Sequence, residues 1–380
     1  MGWLMWCYQL VCLQLVFLHS LSFANLCSHD QSSALLQFKQ LFSFVNYASY
    51  FCDEIGHSSY PKMKYWKDDI DCCSWDGVTC DGVTGDVIGL DLSCSWLYGI
   101  IPSNTSLFLL PHLQKLNLAF NFFNSSHIPS DLVNFPRLTH LNLSSSYFSG
   151  KIPFQISHLT RLISLDLGTS WPGDLALETT VMERLVQNTP ELELILDNVN
   201  MSTVALGYLT NLSSSLMLLS LSDCELQGSL PENIFHQPNL QTLNLPNNYD
   251  LKCNFPKVNW SSPLKYLDVS STSSSGKLPD SFRNLKFLSR LNMENCSFIG
   301  LVPTSIGNLT QLSYLYLASN NFSGHIPSSL SNLEQLTVWL RMRLIVRTHS
   351  IALELLLRTR GSHNLNLSNH QPDQIAPHLF

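Results

Sequence analysis

Three sets of residues in this chain could do chemistry: thiols, glycan acceptors, and aromatic and charged side chains at fixed spacing. Of eleven cysteines, Cys7 and Cys12 lie in an apolar N-terminal stretch. Cys27, Cys52, Cys72, Cys73, Cys80 and Cys94 crowd together, while Cys224, Cys253 and Cys296 are scattered. A zinc site asks for two C-x-x-C pairs at a distance, which this pattern lacks, so the cluster reads as a disulfide-stapled cap. Nine cysteines remain once the first two are set aside, so at least one thiol stays free. Ten N-x-S/T sequons occur, at Asn104, Asn124, Asn142, Asn200, Asn211, Asn259, Asn295, Asn308, Asn321 and Asn366. That number, in a chain with a secretory start, favours a glycoprotein. Asn142 is the exception, because it sits between Leu141 and Leu143 on an inner face where a glycan would crowd a ligand.

Catalytic patterns are absent. The chain has no G-x-S-x-G, H-E-x-x-H, P-loop, G-x-G-x-x-G or kinase signature, and its thirteen histidines are spread among loops and variable positions. The reading is therefore not an enzyme, with no cofactor and no metal. Net charge is −7 and only 13% of residues are charged, which leaves no basic stripe for nucleic acid. The binding candidates are Lys265, Tyr266, Asp268, Arg290, Asn292, Glu294, Tyr314 and Tyr316. Aromatic rings beside charged groups are the usual material of binding hot spots, and a polar face of this kind suits a protein, peptide or glycan ligand.

What positions them is a repeat. From Leu309 to Leu333 the chain reads LTQLSYLYLASNNFSGHIPSSLSNL, which fits L-x-x-L-x-L-x-x-N-x-F-x-G-x-I-P, a leucine-rich repeat. Units in this frame begin at Val87, Leu113, Leu138, Leu162, Glu191, Leu216, Leu240, Leu264, Leu288 and Leu312. The step is 24 from Leu216 onward, and the irregular steps fall earlier. One unit cannot bury its own apolar side, so the units must stack. The expected fold is an α/β-type solenoid. It is a right-handed superhelix of about ten 24-residue units, with a parallel β-sheet on the concave face and a disulfide-tied helical N-terminal cap. In each L-x-L pair the period of two turns leucines inward and their neighbours to the inner curve. Asn121, Asn248 and Asn320 hold the position that bonds backbone groups between coils. Ser95, Ser146, Ser170, Val199, Cys224, Thr272 and Cys296 replace asparagine elsewhere.

The ends of the chain differ from this pattern. Residues 1–24 are apolar with Ser22 and Ala24 at a small-residue cleavage pattern, the mark of a signal peptide. Residues 25–86 form the cysteine-containing cap, where Ala34, Leu35, Phe38 and Leu41 have helical spacing and Asp30 or Ser32 could be the N-cap. Repeats run over 87–338, with an irregular insertion at about 168–190 in which Met182 to Gln187 form a helical turn on the outer curve. Residues 339–380 diverge: Arg341 stands where a buried leucine belongs, and the arginines that follow argue against a membrane span. This tail is expected to be disordered and to be the end of a truncated or misread receptor.

The motifs W-x(5)-CCSWDGVTC, CSHDQSSALLQFKQ and the SGKIP and SGHIP turns resemble plant extracellular leucine-rich-repeat proteins. The segments SLFLLPHLQKLNLAFNFFN and LPNNYDLKCNFPKVNWSSPLKYLDVSST are similar to receptor-like proteins of the disease-resistance type. The resemblance implies the pairs Cys27–Cys72 and Cys73–Cys80. It also implies a glycosylated ectodomain of a plasma-membrane receptor in defence or developmental signalling, acting with a leucine-rich-repeat co-receptor kinase. Two other readings stay open. One is a soluble apoplastic inhibitor or decoy like the polygalacturonase-inhibiting proteins, and the other is a non-functional receptor fragment.

Overall fold

The computed structural model describes residues 27–171, 174–188, 193–211, 216–258, 260–336, 340–346 and 349–355. Eleven strands make one sheet: β1 (Val78–Cys80), β2 (Val87–Asp91), β3 (Lys115–Asn117), β4 (His140–Asn142), β5 (Ser164–Asp166), β6 (Glu193–Ile195), β7 (Leu218–Ser220), β8 (Thr242–Asn244), β9 (Tyr266–Asp268), β10 (Arg290–Asn292) and β11 (Tyr314–Tyr316). The strands from β2 to β11 are parallel and follow one another in chain order. Each strand is one coil's share of the sheet, and the ten parallel strands correspond to the ten repeat units of the sequence. The insertion does not interrupt them, because β6 pairs with β5 through Leu194 opposite Leu165.

Leucines line the inside. Leu116, Leu165, Leu194, Leu219, Leu243, Leu267, Leu291 and Leu315, one from each of eight strands, are fully buried. Behind the sheet six of the coils return through a short 3-10 turn that begins at a proline, at Pro129, Pro153, Pro231, Pro279, Pro303 and Pro327. The pyrrolidine ring fixes φ where the chain must turn back, and the preceding residue is held extended. Phe282, Ile306 and Leu285 fill the space between that turn and the sheet.

The N-terminal cap closes the open end of this stack. Helix α1 (His29–Lys39) lays Leu35 and Phe38 on the first coil. Its N-cap is Ser28, whose hydroxyl accepts from the Gln31 N–H; Asp30 lies in the first turn and Ser32 inside the helix. The Gln31 side chain accepts the Val87 N–H at 2.7 Å, which satisfies the start of β2. Trp66 and Trp75 stack at 5.1 Å, and the Trp66 indole N–H donates to the Asp76 carbonyl. Three disulfides tie the cap: Cys27–Cys72, Cys52–Cys94 and Cys73–Cys80. Cys52 sits in the short helix α2 (Tyr50–Glu54), so the second bond fastens the cap to the first repeat. In the chain-entropy view the two loops of 45 and 42 residues each contribute about 4 kcal/mol.

The insertion forms helix α3 (Thr179–Asn188), longer than the single turn expected from the sequence. Val181, Met182, Leu185 and Val186 are buried against the coil that contains Phe154–His158, and the Arg184 guanidinium lies 4.8 Å over the Phe154 ring. At the far end the chain leaves the coil pattern: Leu340–Val346 and His349–Leu355 pair as an antiparallel hairpin. Part of the tail expected to be disordered is thus paired backbone. Residues 1–24 and the remainder of the tail lie outside the described residues.

Candidate ligand-binding face

Strands β9, β10 and β11 place the candidate residues in two rows. Tyr266, Arg290 and Tyr314 are direct neighbours across the sheet, and so are Asp268, Asn292 and Tyr316. The Arg290 guanidinium carbon lies 5.4 Å from the Tyr266 ring centroid, 5.3 Å from Tyr314 and 5.7 Å from Tyr316. Three ring faces attract the cation and hold it in one place. Its Nε is buried and has no hydrogen-bond partner among the described residues. Lys265 is exposed at the edge of this group, and Glu294 is half-buried just beyond the end of β10.

Asp268 does something different from what the sequence suggested. The period of two turns it to the inner face, yet it is only 5% exposed. Its carboxylate accepts the Ser270 N–H at 2.9 Å, the Ser270 hydroxyl at 2.7 Å and the Asn292 amide at 2.9 Å. The Tyr266 hydroxyl donates to it at 3.4 Å. Burial pushes the Asp268 carboxyl up, while these bonds and the Arg290 charge pull it back down. Burial, then the Asp268 charge, push the Tyr266 phenol up, so it stays neutral and donates. Asp268 therefore fixes Tyr266 and Asn292 in position and offers little to a ligand.

The same arrangement recurs along the sheet, which the sequence reading missed. At the end of a strand, an Asp or Asn accepts the N–H two residues on. Asp91 does so from Ser93, Asn117 from Ala119, Asn142 from Ser144, Asp166 from Gly168 and Asn292 from Glu294. These are local turns of the kind short polar side chains favour. The signal was in the sequence as Asn or Asp at the middle position of Leu-x-Leu or Leu-x-Met.

Asn142 belongs to this row. It is 4% exposed, and its Oδ1 accepts both the N–H and the hydroxyl of Ser144. Asn104, Asn124, Asn295, Asn308 and Asn321 are exposed, and Asn200 is half-buried. Asn211 is described in backbone only, and Asn259 and Asn366 lie outside the described residues. Glycopeptide mapping of the secreted chain is expected to find Asn142 bare and several of the exposed five occupied. An occupied Asn142 would show that the glycan is added before β4 folds into the sheet.

In the cap, Asp71 lies with Cys27, Cys72 and Cys73 in a group of metal-binding residue types. All three sulfurs are committed to disulfides, and Asp71 Oδ1 accepts the N–H groups of Cys27 and Cys73. No thiolate is left there to hold an ion.

The leucine-rich-repeat family model, "Leucine Rich Repeat", matches residues 137–159, 263–285, 287–309 and 311–333. The chain is a leucine-rich-repeat protein. Over 280 residues it is 42% identical to "Receptor-like protein 6" of Arabidopsis thaliana, covering 70% of this chain and 28% of that protein. It is 40% identical over 294 residues to "Receptor-like protein Cf-9" of Solanum pimpinellifolium, covering 73% of this chain and 34% of that one. This leucine-rich-repeat chain thus spans about a third of the length of these plant receptor-like relatives. Among solved structures it is similar to a TDR receptor at 31% identity and TM-score 0.58, covering 70% of this chain and 45% of that one. It is also similar to the PEPR1–AtPEP1 structure at 28% identity and TM-score 0.55, covering 82% and 45%.

Proposed function

We propose that this leucine-rich-repeat chain is the ligand-binding part of a cell-surface receptor-like protein and takes a peptide or protein segment on its concave face. The observation that carries the reading is Arg290, held among Tyr266, Tyr314 and Tyr316 with its Nε unpaired. A fixed cation with free donors, framed by rings, can bind a carbonyl or carboxylate and stack on the neighbouring chain at once. The similarity to plant receptor-like proteins supports the same reading. Signalling falls to a separate partner, a leucine-rich-repeat co-receptor kinase. No helix among the described residues is long and apolar enough to cross a membrane.

The test separates recognition from folding. Peptides selected from a displayed random library on the folded chain are expected to lose about 10–100-fold in affinity to Tyr316→Ala, the cost of a hot-spot ring. The unfolding midpoint of that variant is expected to stay unchanged. Leu317→Ala, one residue away and 1% exposed, is expected instead to cost about 2–5 kcal/mol of stability through a core cavity. Selected peptides that bind Tyr316→Ala and Arg290→Ala as well as the parent would remove the concave face from consideration.

A further inference from the structure

Charge is unevenly spread along this chain. Residues 92–165 carry four Lys or Arg and four His against a single acid, Asp131, although the whole chain has a net charge of −7. The repeat sorts these basic residues into rows. His112, Arg137 and Arg161 precede Leu113, Leu138 and Leu162, so they hold one position in three successive coils. Each of those leucines donates its N–H to the carbonyl three residues back, so the turn is the same in all three. This row runs along the edge where the chain enters the strands. Beside it, on the concave face, Lys115 and His140 are direct neighbours in the register of β3 and β4. Neighbouring strands lie about 4.8 Å apart, so each row offers one basic side chain per coil at about that pitch.

The acids around these rows are occupied. Asp86 lies 3.6 Å from His112, and Asp91 pairs with Lys62 at 3.2 Å. Asp166 is buried and accepts the Gly168 N–H. Asp131 belongs to the 3-10 turn behind the sheet and accepts the Ser130 hydroxyl. Lys151 is taken by Glu178, but Arg137 and Arg161 are exposed and form no ion pair among the described residues. Two unpaired guanidinium groups thus stand one coil apart. Burial, and then the Lys115 charge, hold the His140 imidazole below its usual range, a mark of how closely the basic groups are set. No sequon falls within 111–115, 136–140 or 160–164, so no glycan is attached to the rows themselves.

We infer that these rows bind a linear acidic polysaccharide with one carboxylate on each sugar ring, lying along the solenoid axis from the second coil to the fourth. A uronate ring is about as long as the strand spacing, so successive carboxylates meet successive coils. Arginine takes a carboxylate through two parallel N–H donors. Gln114 and Thr160, next to the rows in sequence, supply an amide and a hydroxyl for the sugar hydroxyls. An extended acidic peptide fits less well, because its side chains on one side recur only every 6.6 Å or so, about two strand residues. None of 111–115, 136–140 and 160–164 holds a Trp, Tyr or Phe, the usual anchors of a protein interface. The net charge of −7 works against the dense phosphate charge of a nucleic acid. Arg290 stands on β10, six strands from His140, so this surface is separate from the site proposed for a peptide.

The test is calorimetric titration of the full secreted chain, at low salt, with an oligogalacturonide and with its fully methyl-esterified form. Polyglutamate and a short DNA duplex serve as acidic comparisons. The oligogalacturonide is expected to bind, and the ester, with the same rings and no charge, about tenfold or more weaker. Arg137→Ala and Arg161→Ala are each expected to weaken binding about three- to fivefold, and the double variant about tenfold or more. Arg161→Lys keeps the charge and is expected to recover part of the loss. Affinity is expected to fall with added salt, and less steeply in the double variant. Both arginines are exposed, so the unfolding midpoints of their variants are expected to match the parent. Arg290→Ala is expected to leave the affinity unchanged, which keeps this result apart from that of the selected peptides. Absence of oligogalacturonide binding would overturn the inference, as would equal binding of the ester or indifference to the double variant. Loss of binding in Arg290→Ala alone would move the polymer to the other site and also overturn it. Tighter binding of polyglutamate or of the duplex would assign the rows to a protein or a nucleic acid instead.

Discussion

Replacing Asn121 by alanine is expected to lower the unfolding free energy by about 3–5 kcal/mol, although the substitution removes no apolar surface. Asn121 is fully buried, and its side chain bonds on both sides. Oδ1 accepts the N–H groups of Ser95 and Leu97 at 3.1 and 3.0 Å, and Nδ2 donates to the carbonyls of Leu92, Leu118 and Ala119. One amide thus joins two consecutive coils, and the Ser49 hydroxyl of the cap also donates to it. Alanine leaves at least two buried backbone groups without partners, each costing roughly 1–3 kcal/mol. Serine is expected to recover part of the loss, because at the same position of the next coil the Ser146 hydroxyl donates to Leu118 and Ser144. Urea unfolding followed by far-ultraviolet dichroism reads the difference. A loss under 1 kcal/mol would mean that water replaces the amide and that the coil junction is not sealed.

The solenoid was legible because burial constrains sequence strongly. A strand of three residues has one side to bury, and a coil of fixed length must return its leucines to the same place, so the spacing of leucines carries the fold. Asn121, Asn248 and Asn320 were legible for a related reason, since a buried polar side chain needs a defined set of partners. At Cys224 and Cys296 the thiols take over the donation, to the carbonyls of Leu196 and Val269. That role keeps them apart from disulfide chemistry in a way spacing alone does not reveal. The binding face was legible only in part. Alternation shows which residues turn inward, but not which of them the neighbouring strands cover. Short side chains at a strand end, such as Asp268 and Asn142, sink between flanking rows about 4.8 Å away, while Tyr314 and Arg290 reach past them. The Cys52–Cys94 bond was hidden, since three unassigned cysteines elsewhere, Cys224, Cys253 and Cys296, allowed other partners.

Asp166→Asn is expected to stabilise the protein at pH 8 by about 2–4 kcal/mol and to leave it unchanged at pH 4. Burial raises the Asp166 carboxyl from 3.8 to about 7; the nearby Asp197 charge adds to this, and the Gly168 N–H and Ser144 hydroxyl oppose it. Below pH 4 the group is neutral both folded and unfolded and costs nothing. Between pH 4 and 7 the unfolded chain ionises there and the folded chain does not, so the stability present in acid is progressively lost. Each pH unit of displacement is worth about 1.4 kcal/mol, which sets the ceiling near 4 kcal/mol. Asparagine fits this position, because Asn142 stands directly beside Asp166 in the register and makes the same turn bond to the N–H two residues on. The amide keeps the Gly168 bond and removes both the buried charge and its repulsion with Asp197. Asp197 and Asp268 are also raised by burial and leave a slope of the same sign in the variant. Denaturant midpoints of parent and variant at pH 4, 6 and 8 measure the effect. Parallel curves, with an equal difference at every pH, would show that Asp166 is ionised in the folded protein throughout and that its neighbours solvate the charge.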